Sequence, residues 1–422
     1  MMVGVIIGFG AIGFHWLVTA CTQMVTGYAD FCELGRVPSP HWPALKWGFL
    51  LLAPVVTGAI YGPIVHRFAP ETRGHGVPEV MYAVHHRGGR IAPQITLIKA
   101  LASALCIGGG GSVGREGPIV QIGSAAGSAV GQYLRLDAGR IRLLVGCGAA
   151  GAIAATFNAP LAGPIFALEL ILRDFTAESF IVVLLASIPA TVVSRAILGN
   201  APTLPVTSTG APGHTDYLLF GVLGVITGIL AVAFSKTLYL TEDVCDWAWR
   251  GPEWARPAVG GVFLGGLLLL LPQMYGVGYP ILQHAIHGQY LIATLILLMV
   301  GKILATSLTI GIGGSGGIFA PTLFIGAMAG TTFGLIAHDL LPRLSATPGI
   351  YGLVGMAAAL SAATGGPITA VIIVVELTGQ YSLTLPLMTA VAVAAGTAHL
   401  LSDTTIYTAK LVRRALPTAQ RQ

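Results

Sequence analysis

Apolar residues in this chain gather in long unbroken runs rather than in the alternation of a half-buried strand or surface helix. The clearest runs cover residues 3–21, 48–65, 179–198, 217–235, 258–272, 289–310 and 382–400. Each approaches the ~20 residues that an α-helix needs to cross a bilayer. Between them lie stretches thick with glycine and proline. An interior glycine costs a helix ~0.8–1 kcal/mol relative to alanine, so those stretches predict short and broken helices. Backbone groups freed by a break in lipid must be satisfied by protein or by a water-lined cavity. That combination points to an all-α polytopic membrane transporter or channel rather than a simple anchor.

Composition supports the same class. The 422 residues are 54% hydrophobic and 9% charged, with a mean hydropathy of +0.79, whereas soluble domains carry about 25% charged residues. The location of the positive charge is more informative than its sum. Residues 66–90 hold His66, Arg67, Arg73, His85, His86, Arg87 and Arg90, and the tail holds Lys410, Arg413, Arg414 and Arg421. The positive-inside rule places both segments on the cytoplasmic side of the cell (inner) membrane. Trp247, Trp249 and Trp254 lie in a charged stretch between apolar runs, as interface anchors do. The first apolar segment lacks the basic prelude of a secretory signal and reads as a membrane helix. Cys21, Cys32, Cys106, Cys147 and Cys245 are scattered and read as small buried hydrophobes. His85-His86 reads as a solvated face. Nothing suggests a metal, a cofactor or nucleic acid.

The chain repeats itself. Shifted by 203, residues 99–118 fall on 302–321 and match at Lys99, Leu101, Ala102, Leu105, Ile107, Gly108, Gly110, Gly111, Ser112, Gly114 and Pro118. A shift of 207 aligns 148–170 with 355–377, including Pro160/Pro367, Ile165/Ile372, Glu169/Glu376 and Leu170/Leu377. The polar, proline-rich stretch 200–216 separates the copies. The expected division is therefore a first half 1–199, a loop 200–216, a second half 217–403, and a cytoplasmic helix and tail 404–422. Repeated halves with interrupted segments at matching positions point to a substrate site near the midplane.

Three interruptions carry chemistry: Gly74-His75-Gly76-Val77-Pro78, Gly114-Arg115-Glu116-Gly117-Pro118 and Gly316-Gly317-Ile318-Phe319-Ala320-Pro321. Each places proline just inside a helix start, where its missing N–H costs nothing. The free N–H groups and the positive dipole end make such a start an anion site. Several converging would hold an anion weakly enough to release it. Glu116 would compete with that anion when ionised and yield when protonated, linking anion to proton movement. An intramembrane carboxylate costs ~2.5–3.5 kcal/mol or more to insert, which argues against a merely structural role. The glycine run is no phosphate loop, because no Gly-Lys-Ser/Thr follows. Lys99 and Lys302 read as snorkelling residues at helix ends. Arg115 reads as holding its break together through backbone carbonyls, with anion steering as the alternative.

The three motifs in this order resemble the CLC family of chloride channels and chloride/proton antiporters, whose patterns are GSGIP, GREGP and GIFAP followed by a late tyrosine. The segment Phe157-Asn158-Ala159-Pro160-Leu161-Ala162-Gly163 is similar to one that follows GREGP in that family. The resemblance spans essentially the whole chain. It implies two inverted-topology halves, a homodimer with one pathway per subunit, and exchange of chloride, with bromide or nitrate as further candidates, for protons. It also implies that the backbone N–H groups of Ile318 and Phe319, with the Tyr407 hydroxyl, bind the anion and that Glu116 is the gating glutamate. His75 stands where the family has serine, as an N–H donor to the anion or as a space-filling ring. Leu170 stands at the family's internal proton-transfer glutamate, leaving Glu169 as the candidate relay, or as a packing residue paired with Glu376. The alternatives are an uncoupled chloride channel or carrier, fluoride export, and an intramembrane protease built on Ser315. With about fifteen residues after Tyr407, the regulatory cytoplasmic domains that many relatives append are expected to be absent.

Overall fold

The computed structural model describes all residues except 206–212, 214, 215, 343, 344 and 416–422. Most of the 200–216 loop and the tail residue Arg421 therefore lie outside the described residues. The first half consists of α1 (Met2–Thr26), α2 (Phe49–Phe68), α3 (Val77–His86), α4 (Gln94–Gly108), α5 (Glu116–Tyr133), α6 (Ala138–Phe157), α7 (Ala162–Phe166, running on as a π-helix Ala167–Leu172) and α8 (Ala177–Leu198). The second half repeats the order with α9 (Asp216–Ala248), α10 (Arg256–Leu270), α11 (Tyr279–Ile286), α12 (Ile292–Gly311), α13 (Phe319–Leu340), α14 (Pro348–Thr364), α15 (Pro367–Thr378) and α16 (Thr384–Leu401). A last helix, α17 (Ile406–Ala415), follows. The fold is all-α, in two inverted-topology halves of broken and tilted helices.

The seven apolar runs became α1, α2, α8, α9, α10, α12 and α16. Four further helices, α5, α6, α13 and α14, form the interior, and their apolar surface faces protein rather than lipid. Their contacts are made by glycine. A Cβ on Gly123 would lie 2.4 Å from the Gly148 carbonyl oxygen, and one on Gly326 would lie 2.3 Å from that of Gly355. These are matching positions in the two halves. Small residues let helix backbones approach closely where lipid supplies no hydrophobic drive.

The halves are joined by reciprocal contacts. Gly114 donates its N–H to the Gly317 carbonyl at 2.7 Å, and Gly317 returns the bond at 2.6 Å. Equivalent residues paired antiparallel are what a two-fold axis between inverted halves requires. The glutamates obey the same symmetry. Glu169 accepts from the N–H groups of Ile368 and Thr369, at 3.0 and 2.8 Å, and from the Thr369 hydroxyl at 2.6 Å. Glu376 accepts from the N–H groups of Leu161 at 3.0 Å and Ala162 at 2.7 Å. Each carboxylate caps the helix start of the other half, satisfying N–H groups that have no intrahelical partner. Glu376→Gln should weaken one such cap, at ~0.5–2 kcal/mol, and lower the thermal unfolding midpoint in detergent; an unchanged midpoint would refute the capping role.

Candidate functional site

Four helix starts converge, one more than the sequence motifs announced. The fourth is Gly276-Val277-Gly278-Tyr279-Pro280 at the head of α11, the counterpart of Gly74-His75-Gly76-Val77-Pro78 at the head of α3. Gly76 and Gly278 hold the same position with φ of 82° and 92°, a conformation that a side chain rarely adopts. The breaks are laced together. Gly74 donates to the Gly314 carbonyl at 3.0 Å, and Gly316 donates to that of Gly74 at 3.3 Å. A Cβ on Gly117 would sit 2.3 Å from the His75 carbonyl oxygen. Side chains are excluded so that backbone can meet backbone.

Carbonyls released by the breaks need donors inside the membrane, and the two lysines supply them. Lys99 donates to the carbonyls of Thr72 and Gly74, both at 2.8 Å, and Lys302 donates to that of Gly276 at 3.0 Å. Both side chains are fully buried. The snorkelling expectation is corrected: the ammonium groups brace the interior rather than reach for the surface. Ser315 is likewise committed to the scaffold. Its hydroxyl donates to the Thr72 carbonyl at 2.8 Å and lies 2.9 Å from the Ser103 hydroxyl.

Glu116 is the first residue of α5 and is 1% exposed. Its Oε1 accepts a hydrogen bond from the Tyr279 hydroxyl at 2.8 Å. Its Oε2 has no hydrogen-bond partner and fills the space where a Cβ on Gly114 would stand, 2.0 Å away. The Ala320 Cβ borders the same space, 3.1 Å from where that Gly114 Cβ would stand. The carboxylate thus lies at the start of α13, whose N-cap is Ile318 and whose first residue is Phe319. The amides of Ile318 and Phe319 donate no backbone bond among the described residues. The Phe319 ring is held between Phe157 and Phe166, with centroids 5.7 and 6.3 Å away.

His75 and Tyr407 meet close by, with ring centroids 6.0 Å apart. Tyr407 is 1% exposed and His75 3%. Both His75 ring nitrogens lack a hydrogen-bond partner. A buried polar group left unpaired costs ~1–3 kcal/mol, and both ring nitrogens carry that cost among the described residues. Tyr407 is positioned by α17, which is pinned by ion pairs of Lys410 with Glu242, Arg413 with Asp243 and Arg414 with Glu79. Leu170, in contrast, is buried against Gly366 and carries no ionisable group.

Arg115 departs from expectation. Its guanidinium meets the ring of His15 on α1, with Nη1 2.7 Å from Nδ1, and lies 5.7 Å from the Tyr279 ring centroid. Among the described residues its partners are side chains, not backbone carbonyls. A cavity of about 330 Å³ is lined by His15, Asp30, Arg115 and Tyr279. Another of about 620 Å³ is lined by Tyr239, His399, Asp403, Thr405 and Ile406. The first involves α1 and the second the corresponding part of α9, so inverted halves place them toward opposite faces. Among the described residues, no group of three or more His, Cys, Asp or Glu could hold a metal ion.

The sequence relationships agree with this geometry. A family model described as voltage gated chloride channel matches residues 57–399. The chain belongs to this CLC family. It is 35% identical over 430 residues to the H(+)/Cl(-) exchange transporter ClcA of Vibrio parahaemolyticus, spanning 98% of this chain and 88% of that one. It is 30% identical over 397 residues to a putative chloride channel protein ClcB-like of Ralstonia nicotianae, spanning 93% and 92%. Among solved structures, a slow cyanobacterial Cl-/H+ antiporter superposes with a TM-score of 0.85 at 27% identity, covering 98% of this chain and 96% of that one. A CLC-type fluoride/proton antiporter shares the fold, with a TM-score of 0.78 at 22% identity over 96% of each chain. The family consists of transport proteins rather than enzymes, and with Ser315 hydrogen-bonded into the scaffold, the protease alternative falls.

Proposed function

We propose that this CLC protein exchanges chloride for protons across the inner membrane, with Glu116 as both gate and proton acceptor. The observation that carries the proposal is the seat of the Glu116 carboxylate at the start of α13, where an anion would otherwise bind. Ionised, it occupies an anion site made of helix-start amides. Protonated, it loses its attraction for those donors and can leave, carrying the proton. The amides of Ile318 and Phe319, the Tyr407 hydroxyl and one His75 ring N–H then hold the anion. Glu169, with three donors on its carboxylate, serves as a helix cap in this reading rather than as a proton relay.

An uncoupled chloride channel or carrier on the same fold is the second reading, favoured by the buried, non-ionisable Leu170. Purified protein in chloride-loaded liposomes separates the two. An outward chloride gradient should drive proton uptake, read as a fall in external acidity; chloride flux with no proton movement would leave the uncoupled carrier. The Arg414–Glu79 ion pair places α17 beside α3, which supports a shared cytoplasmic face for the basic segment 66–90 and the tail. The homodimer with one pathway per subunit is part of the same proposal.

A further inference from the structure

Glu116 is held by a residue that no motif marks. Tyr279 opens α11, and its repeat counterpart in α3 is Val77, which has no hydroxyl. Likewise the counterpart of Glu116 in the other half is Phe319. The two departures from symmetry meet in one hydrogen bond, Tyr279 hydroxyl to Glu116 Oε1 at 2.8 Å. We propose that Tyr279 is a positioning residue that latches Glu116 in the closed position, so that breaking this bond is part of every opening; the inference rests on Glu116 being the gate.

The latch has its own brace. The left-handed turn at Gly278 precedes Tyr279 and sets the direction from which α11 begins. The Arg115 guanidinium stands over the Tyr279 ring, an arrangement favoured by the ring's negative face, and is itself tied to His15. Ring and hydroxyl are thereby fixed from two sides. Tyr279, which holds the carboxylate on one side, also forms part of the wall of the 330 Å³ cavity together with Arg115. A carboxylate swinging toward that cavity must first give up the tyrosine. Among the described residues the other oxygen, Oε2, has no hydrogen-bond partner, and Tyr279 is the one side chain whose hydrogen bond retains the group.

A hydrogen bond to an ionised acceptor shifts a two-position equilibrium roughly ten- to a hundredfold. Tyr279→Phe keeps the ring and removes only the hydroxyl. Chloride efflux from proteoliposomes, followed with a silver/silver-chloride electrode, should therefore be about tenfold faster in Tyr279→Phe than in the wild type. In a Glu116→Ala background the same substitution should change efflux less than twofold, because there is nothing to latch. An equal change in both backgrounds would mark Tyr279 as a general packing residue, and no acceleration in the Glu116-containing protein would also overturn the latch. Wild-type protein that moves chloride without protons, and whose flux Glu116→Ala leaves unchanged, would instead remove Glu116 as the gate, a separate result.

Discussion

Replacing Glu116 with glutamine is expected to abolish proton movement while chloride still crosses. Glutamine matches the protonated acid in shape and lacks its charge, so the side chain no longer competes with an anion for the amides of α13. It also cannot bind or release a proton. In liposomes with an outward chloride gradient, wild-type protein should take up protons until the gradient is spent. Glu116→Gln protein should show chloride efflux and no proton uptake above empty liposomes. Its efflux should also lose most of its dependence on external pH, because the group whose protonation opens the pathway is gone. Retained proton uptake in the variant would disprove the role of Glu116 as proton acceptor. The expected effect is large because the carboxylate is 1% exposed and seated among the helix starts themselves, with no competing carboxylate among their motif residues.

The legible parts of this site were those where backbone geometry dictates residue type. A chain that must break, turn through positive φ and restart a helix needs glycine and then proline, so three of the four helix starts could be read directly, together with the acid at the head of α5. The fourth shares the spacing Gly-x-Gly-x-Pro with the first, Gly276 to Pro280 against Gly74 to Pro78. That recurrence was the available signal for Tyr279. Long-range side-chain pairs had no comparable trace. Arg115 and His15 are a hundred residues apart, and nothing in either local sequence demands the other. The lysines misled for a physical reason: a lone cation in an apolar run normally seeks the surface, and only the fold shows that broken helices leave carbonyls deep inside needing an ammonium. The interior helices α5 and α6 were obscured because the small and polar residues that allow close backbone contact lower the hydropathy that marks a span, whereas α13 is as apolar as α16. The repeat of Glu169 and Glu376 was visible, but its meaning required seeing that each half caps the other.

The paired glycines at the centre give the second large prediction, because the same substitution at equivalent positions should fail in different ways. A Cβ on Gly317 would lie 2.6 Å from the Gly117 backbone nitrogen and 3.2 Å from the Gly114 carbonyl oxygen. Nothing there can rotate away, so Gly317→Ala must part the reciprocal bonds between the halves. The expected result is little or no monodisperse protein by size-exclusion chromatography in detergent. A Cβ on Gly114 meets chiefly the Glu116 Oε2 at 2.0 Å, with the Ala320 Cβ next at 3.1 Å. A carboxylate is the end of a flexible side chain, and it can leave. Gly114→Ala should therefore fold, eject Glu116 from its seat and behave in liposomes as Glu116→Gln does, with chloride efflux and lost proton uptake. Gly114→Ala protein that folds and still couples chloride to protons as the wild type does would show that the seat beside Gly114 is not the position from which Glu116 gates. The contrast separates the two uses of one repeated glycine: at Gly317 it lets two halves touch, and at Gly114 it also leaves room for the acid that makes them a gate.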